Sequence, residues 1–308
     1  MSSSLNKSNN NLRVKLCSRR RLVWGISGVA LFLSILGLTL CILNPSIKAP
    51  LRPGLDFTGG TQIKLERICD VSCESIIPID INNALQDSSL TKIDKSLRAK
   101  LSQIRIQQLD NSKLLVIRLP FLSASEGQLV IERLQPLAGP FISGGQAIDT
   151  IGPRLGGQLL RSSIASLLTA FTGIALYITL RYDKRFALLA LIALAHDVVI
   201  VSGIFAWFGL IFSLEVDSLF VVALLTIAGY SVNDTVVVFD RIRERSRRDA
   251  SLPLSDQIDR AVSSTLTRTL YTSGTTLMPL LALIFFGGST LFWFAIALAA
   301  GVVIGSWS

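Results

Sequence analysis

Six apolar runs, each close to bilayer length, recur along this 308-residue chain and decide what it can fold into. They fall at about Leu22–Leu43, Ser162–Leu180, Phe186–Phe208, Ser218–Phe239, Leu266–Phe286 and Leu291–Ser308. A spanning helix needs roughly 20 predominantly apolar residues. Hydrocarbon holds no water to pair with the backbone, so such a run is stable there only as a helix that satisfies its own polar groups. Half of the residues (50%) are hydrophobic and the mean hydropathy is +0.54, which excludes a soluble globular protein. One long polar stretch, residues 44–158, is large enough for a core of its own. The expected fold is a membrane all-α bundle of six transmembrane helices with one small extramembrane domain. In order, residues 1–21 are a basic tail, 22–43 the first helix, 44–158 the domain, and 159–308 helices two to six with a loop at 240–260.

The net charge of +9 does not signal nucleic acid. Lys and Arg gather beside the ends of the apolar runs, as in loops retained on the cytoplasmic side, and do not form one basic face. The N-terminal tail with Arg13, Lys15, Arg19, Arg20 and Arg21, the Arg181–Arg185 turn and the 240–260 loop with Arg241, Arg243, Arg245, Arg247 and Arg248 are basic. The alternate loops hold Glu215 and Asp217, or only Gly287, Gly288 and Ser289. Both termini are therefore expected in the cytoplasm and the domain outside. The Leu22–Leu43 run is too long for a signal-peptide core and lacks a small-residue cleavage site, so it is expected to remain as the first helix. Of the four cysteines, Cys69 and Cys73 lie in the domain; free thiols are expected there ahead of a disulfide, and a metal site is disfavoured because the only His lies elsewhere.

Within the domain, Thr61–Glu66 and Ser102–Leu109 alternate apolar and polar residues, Leu114–Leu119 is a third strand, and Gln146–Ile151 a fourth. Ile76–Leu85 or Leu97–Leu101 supplies a helix between the first two strands. Ser123–Leu137 reads as a second helix, with Ser125 and Gln128 as its capping box. The order βαββαβ is that of a ferredoxin-like α+β domain.

Charged groups in hydrocarbon cost roughly 3 kcal/mol or more each and mark ion or proton pathways when they face a bundle interior. Three such places stand out: His196-Asp197 in the third run, Asn233-Asp234 in the fourth and Arg268 near the start of the fifth. At about 1.5 Å rise per residue, Asp234 and Arg268 reach comparable depth on neighbouring helices, which suits a pair. Burial disfavours a charged carboxylate and a nearby guanidinium favours it. Movement of Arg268 would then switch Asp234 between releasing and capturing a proton. Arg stays protonated, so Asp234 is the carrier and Arg268 the modulator. Structural alternatives stand beside each: Arg268 snorkelling to the interface, His196-Asp197 as a neutral packing element, Asp234 as an interfacial helix end. Thr226, Gly229 and Ser231 read as small contacts, and Gly301-x-x-x-Gly305 as a helix-packing motif.

These residues sit within a longer pattern. Gly54-Leu55-Asp56-Phe57-Thr58-Gly59-Gly60 follows the first helix, Gly152-Pro153-Arg154 precedes the second and Arg181-Tyr182 follows it. Ala195-His196-Asp197 lies in the third, and Gly229-Tyr230-Ser231-Val232-Asn233-Asp234-Thr235 leads to Phe239-Asp240-Arg241-Ile242-Arg243-Glu244 in the fourth. Thr267-Arg268-Thr269-Leu270 and Thr272-Ser273-Gly274-Thr275-Thr276 lie in the fifth. In this order, across nearly the whole chain, the pattern resembles the SecF family, within the resistance–nodulation–division (RND) group.

The resemblance implies a multi-pass protein of the bacterial cytoplasmic (inner) membrane, half of an RND-like bundle, with SecD as its heterodimer partner. It further implies association with the SecYEG channel, indirect cooperation with SecA, contact with a translocating preprotein, and a proton gradient in place of any cofactor. The family's proton-pathway Asp falls on Asp234 and its Arg on Arg268; Asp197, His196 and Asn233 complete the candidate pathway. Two departures appear. The chain stops at Trp307-Ser308, where the family usually continues, so it is either naturally short or truncated. Cys69 and Cys73 are not part of the family signature. The competing readings are a proton-driven RND exporter of small molecules or lipids, which would carry two larger external domains, and a passive scaffold needing neither Asp234 nor Arg268. No phosphate-binding loop, metal-ligand spacing or nucleophile–His arrangement points to an enzyme.

Overall fold

The computed structural model describes residues 17–69, 73, 100–101, 104–109 and 112–308. The apolar runs become helices α1 (Arg20–Leu43), α4 (Pro153–Arg181), α5 (Lys184–Ile211), α6 (Ser218–Arg248), α7 (Leu254–Phe286) and α8 (Ser289–Trp307). Between α1 and α4 lie the short α2 (Leu55–Thr58), β1 (Gly60–Arg67), β2 (Arg105–Leu109), β3 (Leu114–Leu119), α3 (Ala124–Ala138) and β4 (Phe141–Ile151). Among the described residues, six helices are long and apolar enough to cross a membrane, and the chain is a multi-pass membrane protein. It forms two compact units, Met1–Arg52 with Ser163–Ser308, and Pro53–Ser162.

The expected loop at 240–260 is mostly helix: α6 runs on to Arg248, α7 begins at Leu254, and only residues 249–253 connect them. Falling hydropathy ended the apolar run but not the helix. Glu244 pairs along the helix with Arg241 (2.6 Å) and Arg248 (3.0 Å), and Arg245 with Asp249 (3.5 Å), pairs that support a helix outside the apolar zone. The arginines of the last turn also complement the helix dipole.

In the bundle, α1 packs on α5, and α8 lies against α5, α6 and α7. Small residues permit this closeness. Gly203 of α5 meets Ser34 of α1 with no room for a Cβ, and the Trp207 indole N–H donates to the Leu33 carbonyl oxygen at 3.0 Å. Gly301 faces Ile227, and one turn later a Cβ on Gly305 would lie 3.5 Å from Ser231 Cβ and 3.6 Å from Asp197 Oδ2. The Gly301/Gly305 spacing thus serves helix approach. Gly229 has open space at its Cβ position and Thr226 is exposed, so neither is the interhelical contact expected.

In the other unit the sheet order is β2-β3-β1-β4 and every neighbouring pair is antiparallel. Alternation in β1 sends Ile63 and Leu65 to one face, where they meet Ile117 and Leu115 of β3 and the helix residues Val130 and Leu134. This is the ferredoxin-like arrangement. Of the helix expected between the first two strands, Ile76–Leu85 lies outside the described residues; Lys100 and Leu101 are helical, and Leu101 is buried in the core. β4 begins at Phe141 instead of Gln146, because after a bulge between Leu65 and Arg67 the ladder continues with Arg67 opposite Phe141. Gly59 (φ 69°) and Gly60 (φ 126°) make the turn into β1; a Cβ on Gly60 would lie 2.7 Å from the Leu119 carbonyl oxygen. Cys69 and Cys73 form a disulfide, with Cα atoms 5.4 Å apart, which corrects the expectation of free thiols.

The capping box is also displaced from its expected place. Ser123, not Ser125, is the N-cap: its hydroxyl accepts from the Glu126 N–H at 3.4 Å, and Glu126 Oε2 accepts from the Ser123 N–H at 2.7 Å. The Ser123 backbone N–H, then the Lys100 ammonium and the Ser123 hydroxyl, hold the Glu126 carboxyl below the usual range. A depressed carboxylate stabilises the fold above its unfolded value and loses that contribution as pH falls through the folded one. Ser123→Ala is expected to weaken the start of α3 by about 1 kcal/mol, read as roughly five-fold faster amide exchange of its first turn. Acidification below the ordinary glutamate range should do the same to the unaltered protein, after correction for intrinsic exchange.

Candidate functional site

Four helices bring their polar residues to one region of the bundle. On α6 the helical repeat sets Ile227, Ser231 and Asp234 on its buried face and leaves Asn233 exposed. On α7, Thr265 and Ser273 are buried and Arg268 is exposed. From α5 comes Asp197, at 0% exposure.

Asp197 is fully engaged. Its Oδ2 accepts from the Ser231 hydroxyl at 2.7 Å and from the Ser308 hydroxyl at 2.8 Å, and its Oδ1 lies 3.0 Å from His196 Nδ1. This geometry suits the His tautomer that carries its proton on Nδ1, leaving the buried Nε2 without a hydrogen-bond partner. A carboxylate with three donors and no adjacent guanidinium ties α5, α6 and α8 together.

Asp234 is different. It is 5% exposed, and its Oδ2 is buried with no hydrogen-bond partner. It lines a cavity of about 370 Å³ together with Ala193, Thr265, Thr269, Gly305 and Ser308. Thr235, Thr265, Thr269 and Ser308 bring hydroxyl groups to the lining of this cavity, which is otherwise mostly apolar. Asp234 and Arg268 each lie about 21 Å along their helices from the 249–253 connection, and so at one level. They do not form an ion pair. The guanidinium reaches Asp234 only through space, from the outer side of the two helices.

Of the expected site residues, Asp197 and His196 therefore meet each other and Ser231. Asp234 meets the cavity, while Arg268 and Asn233 stand on the exposed face. Sequence reasoning treated Ser231 as mere packing and did not single out Tyr230, whose hydroxyl lies 2.9 Å from that of Ser273. Spacing alone could have found both, since Ser231 and Tyr230 precede Asp234 by three and four residues and so share its side of the helix.

The description "Protein export membrane protein SecD/SecF, C-terminal" applies to residues 143–308, which hold the whole site, and "SecD/SecF GG Motif" to residues 47–66. The protein translocase subunit SecF of Prochlorococcus marinus is 56% identical over 302 residues, covering 97% of this chain and 94% of the relative. The chain belongs to the SecF family. A SecF of Synechocystis is 37% identical over 96% of this chain and 91% of its own length. Among solved structures, SecDF of Thermus thermophilus superposes with a TM-score of 0.75 at 31% identity, over 96% of the SecF-family chain. The match spans only 37% of that longer protein. SecDF in a super-membrane-facing form gives a TM-score of 0.58, over 92% of this chain and 36% of the other.

Proposed function

We propose that this SecF-family chain works with a SecD partner in the bacterial inner membrane, N-terminus in the cytoplasm, and uses the proton gradient to promote preprotein export. It acts beside the SecYEG channel, after SecA has pushed the polypeptide in. The observation that carries this reading is Asp234, a buried carboxylate with an unpartnered oxygen on a cavity that hydroxyl groups also line, level with Arg268. Protonation of Asp234 removes its attraction to the guanidinium, so the α6–α7 contact differs between the two states and drives the rest of the bundle. Asp197 and His196 serve as a second proton-holding station, linked through Ser231 to the same face of α6.

The partner is supported by what the bundle leaves uncovered. Asn233, Arg268, Tyr271 and Thr275 are exposed along α6 and α7, and Gly229 and Gly274 have open space at their Cβ positions. Such a polar face is costly against lipid and suits another subunit's helices. One proton moving down about 100 mV releases roughly 2.3 kcal/mol, enough to bias a conformational equilibrium, so many cycles serve each substrate. The test is export of a reporter preprotein into vesicles holding SecD with or without this chain. The gradient should add to the ATP-driven rate only when both are present; equal stimulation without this chain would refute the reading.

A further inference from the structure

The cavity beside Asp234 extends toward one end of the bundle only. Its furthest layer is Ala193, Asp234, Thr269 and Gly305, and from there its lining runs to Phe239 of α6 and Val262 of α7. Each step follows its helix toward the end that carries the basic segments Arg181–Arg185 and Arg241–Arg248. Beyond Asp234, on the side that this cavity's lining does not reach, stands a pair of hydroxyls. Tyr230 lies one turn before Asp234 on α6, and Ser273 one turn after Thr269 on α7. Their hydroxyls meet at 2.9 Å.

Because α6 and α7 run antiparallel, the rows Tyr230–Asp234–Val238 and Ser273–Thr269–Thr265 face each other. The hydroxyl pair thus lies one turn beyond Asp234 and Thr269, on the side away from the basic segments. Ser273 is 7% exposed. Either hydroxyl can donate or accept, the property a proton relay requires.

We propose that the Tyr230–Ser273 hydroxyl pair conducts protons between Asp234 and the bundle end away from the basic segments. The proposal rests on the reading of Asp234 as the carrier. A proton bound to the lone pair of the first hydroxyl displaces that hydroxyl's own proton to its partner, and the partner passes one on toward the Asp234 carboxylate. One O–H bond breaks for each that forms, no charge remains on the pair, and rotation of both hydroxyls resets it.

The test uses vesicles holding the full chain with SecD, at matched levels of both, and compares gradient-stimulated export in Tyr230→Phe, Ser273→Ala, Ser273→Thr and Asp234→Asn. Loss of a positioned proton-transfer group commonly costs 10²–10⁴-fold, and partial replacement by water sets the expectation at about ten-fold or more for Tyr230→Phe and Ser273→Ala. Ser273→Thr restores a hydroxyl and should keep most of the stimulation. ATP-driven export and co-isolation of SecD should not change in any of the pair's variants, which a merely structural role would not allow. Full stimulation in Tyr230→Phe and Ser273→Ala, beside its loss in Asp234→Asn, overturns the relay and leaves the carrier standing. Full stimulation in Asp234→Asn overturns both.

Discussion

Asp234→Asn is expected to remove the gradient-stimulated part of preprotein export and leave the ATP-driven part in place. The substitution keeps the shape of the side chain and its fit among α5, α6 and α8, but an amide cannot exchange a proton in the physiological range. Since Oδ2 has no protein partner, no hydrogen bond within the bundle is lost at that atom. Folding and pairing with SecD should therefore survive while the coupling does not. Arg268→Met should reach the same end by another route, because the carboxylate then loses the Arg268 charge that acts on it across the helix pair. Arg268→Lys keeps the charge without the planar fork and should retain part of the stimulation. Export rates of a reporter with and without a gradient, at matched membrane levels, check all three.

Asp197→Leu is expected to be the most damaging substitution to the fold itself. It removes the partner of His196 and the acceptor for the Ser308 hydroxyl and for the Ser231 hydroxyl, which is closed to solvent. Each polar group so stranded costs about 1–3 kcal/mol, and the combined loss is comparable with the whole stability of many domains. Failure to accumulate in the membrane is the expected reading. Asp197→Asn behaves differently: its carbonyl oxygen can face His196 while its amide donates to the serine oxygens. That variant should accumulate normally and lose part of the gradient stimulation. Normal stimulation in it would return the His196–Asp197 pair to a packing role.

Much of this was legible in the sequence. Six apolar runs name six helices, because hydrocarbon leaves the backbone no other solution, and β3 falls at Leu114–Leu119, the short apolar run expected as a third strand. Charges inside the runs point to Asp197 and Asp234 without any structure. The ends of elements were harder to read. Hydropathy stops at Phe239, yet α6 continues for more than two turns on ion pairs that an apolar window does not register. Ser123 wins the cap over Ser125 through the extended backbone at 123 and the Lys100–Glu126 contact, which arises from residues far apart in sequence. The site shows the same division. Residue depth predicts that Asp234 and Arg268 are level, but only the rotation of α7 determines that Arg268 faces outward. Likewise the link from Ser231 to Asp197 depends on the packing of α6 against α5, which a single sequence does not encode locally.

The most direct test of the carrier assignment is proton entry itself. Sealed vesicles holding this chain with SecD, oriented with the basic segments inside and containing a pH-sensitive dye, receive an external acid step while a reporter preprotein is exported. The account predicts internal acidification beyond the passive leak with Asp234 present and only the leak with Asp234→Asn; equal acidification in the two would contradict it.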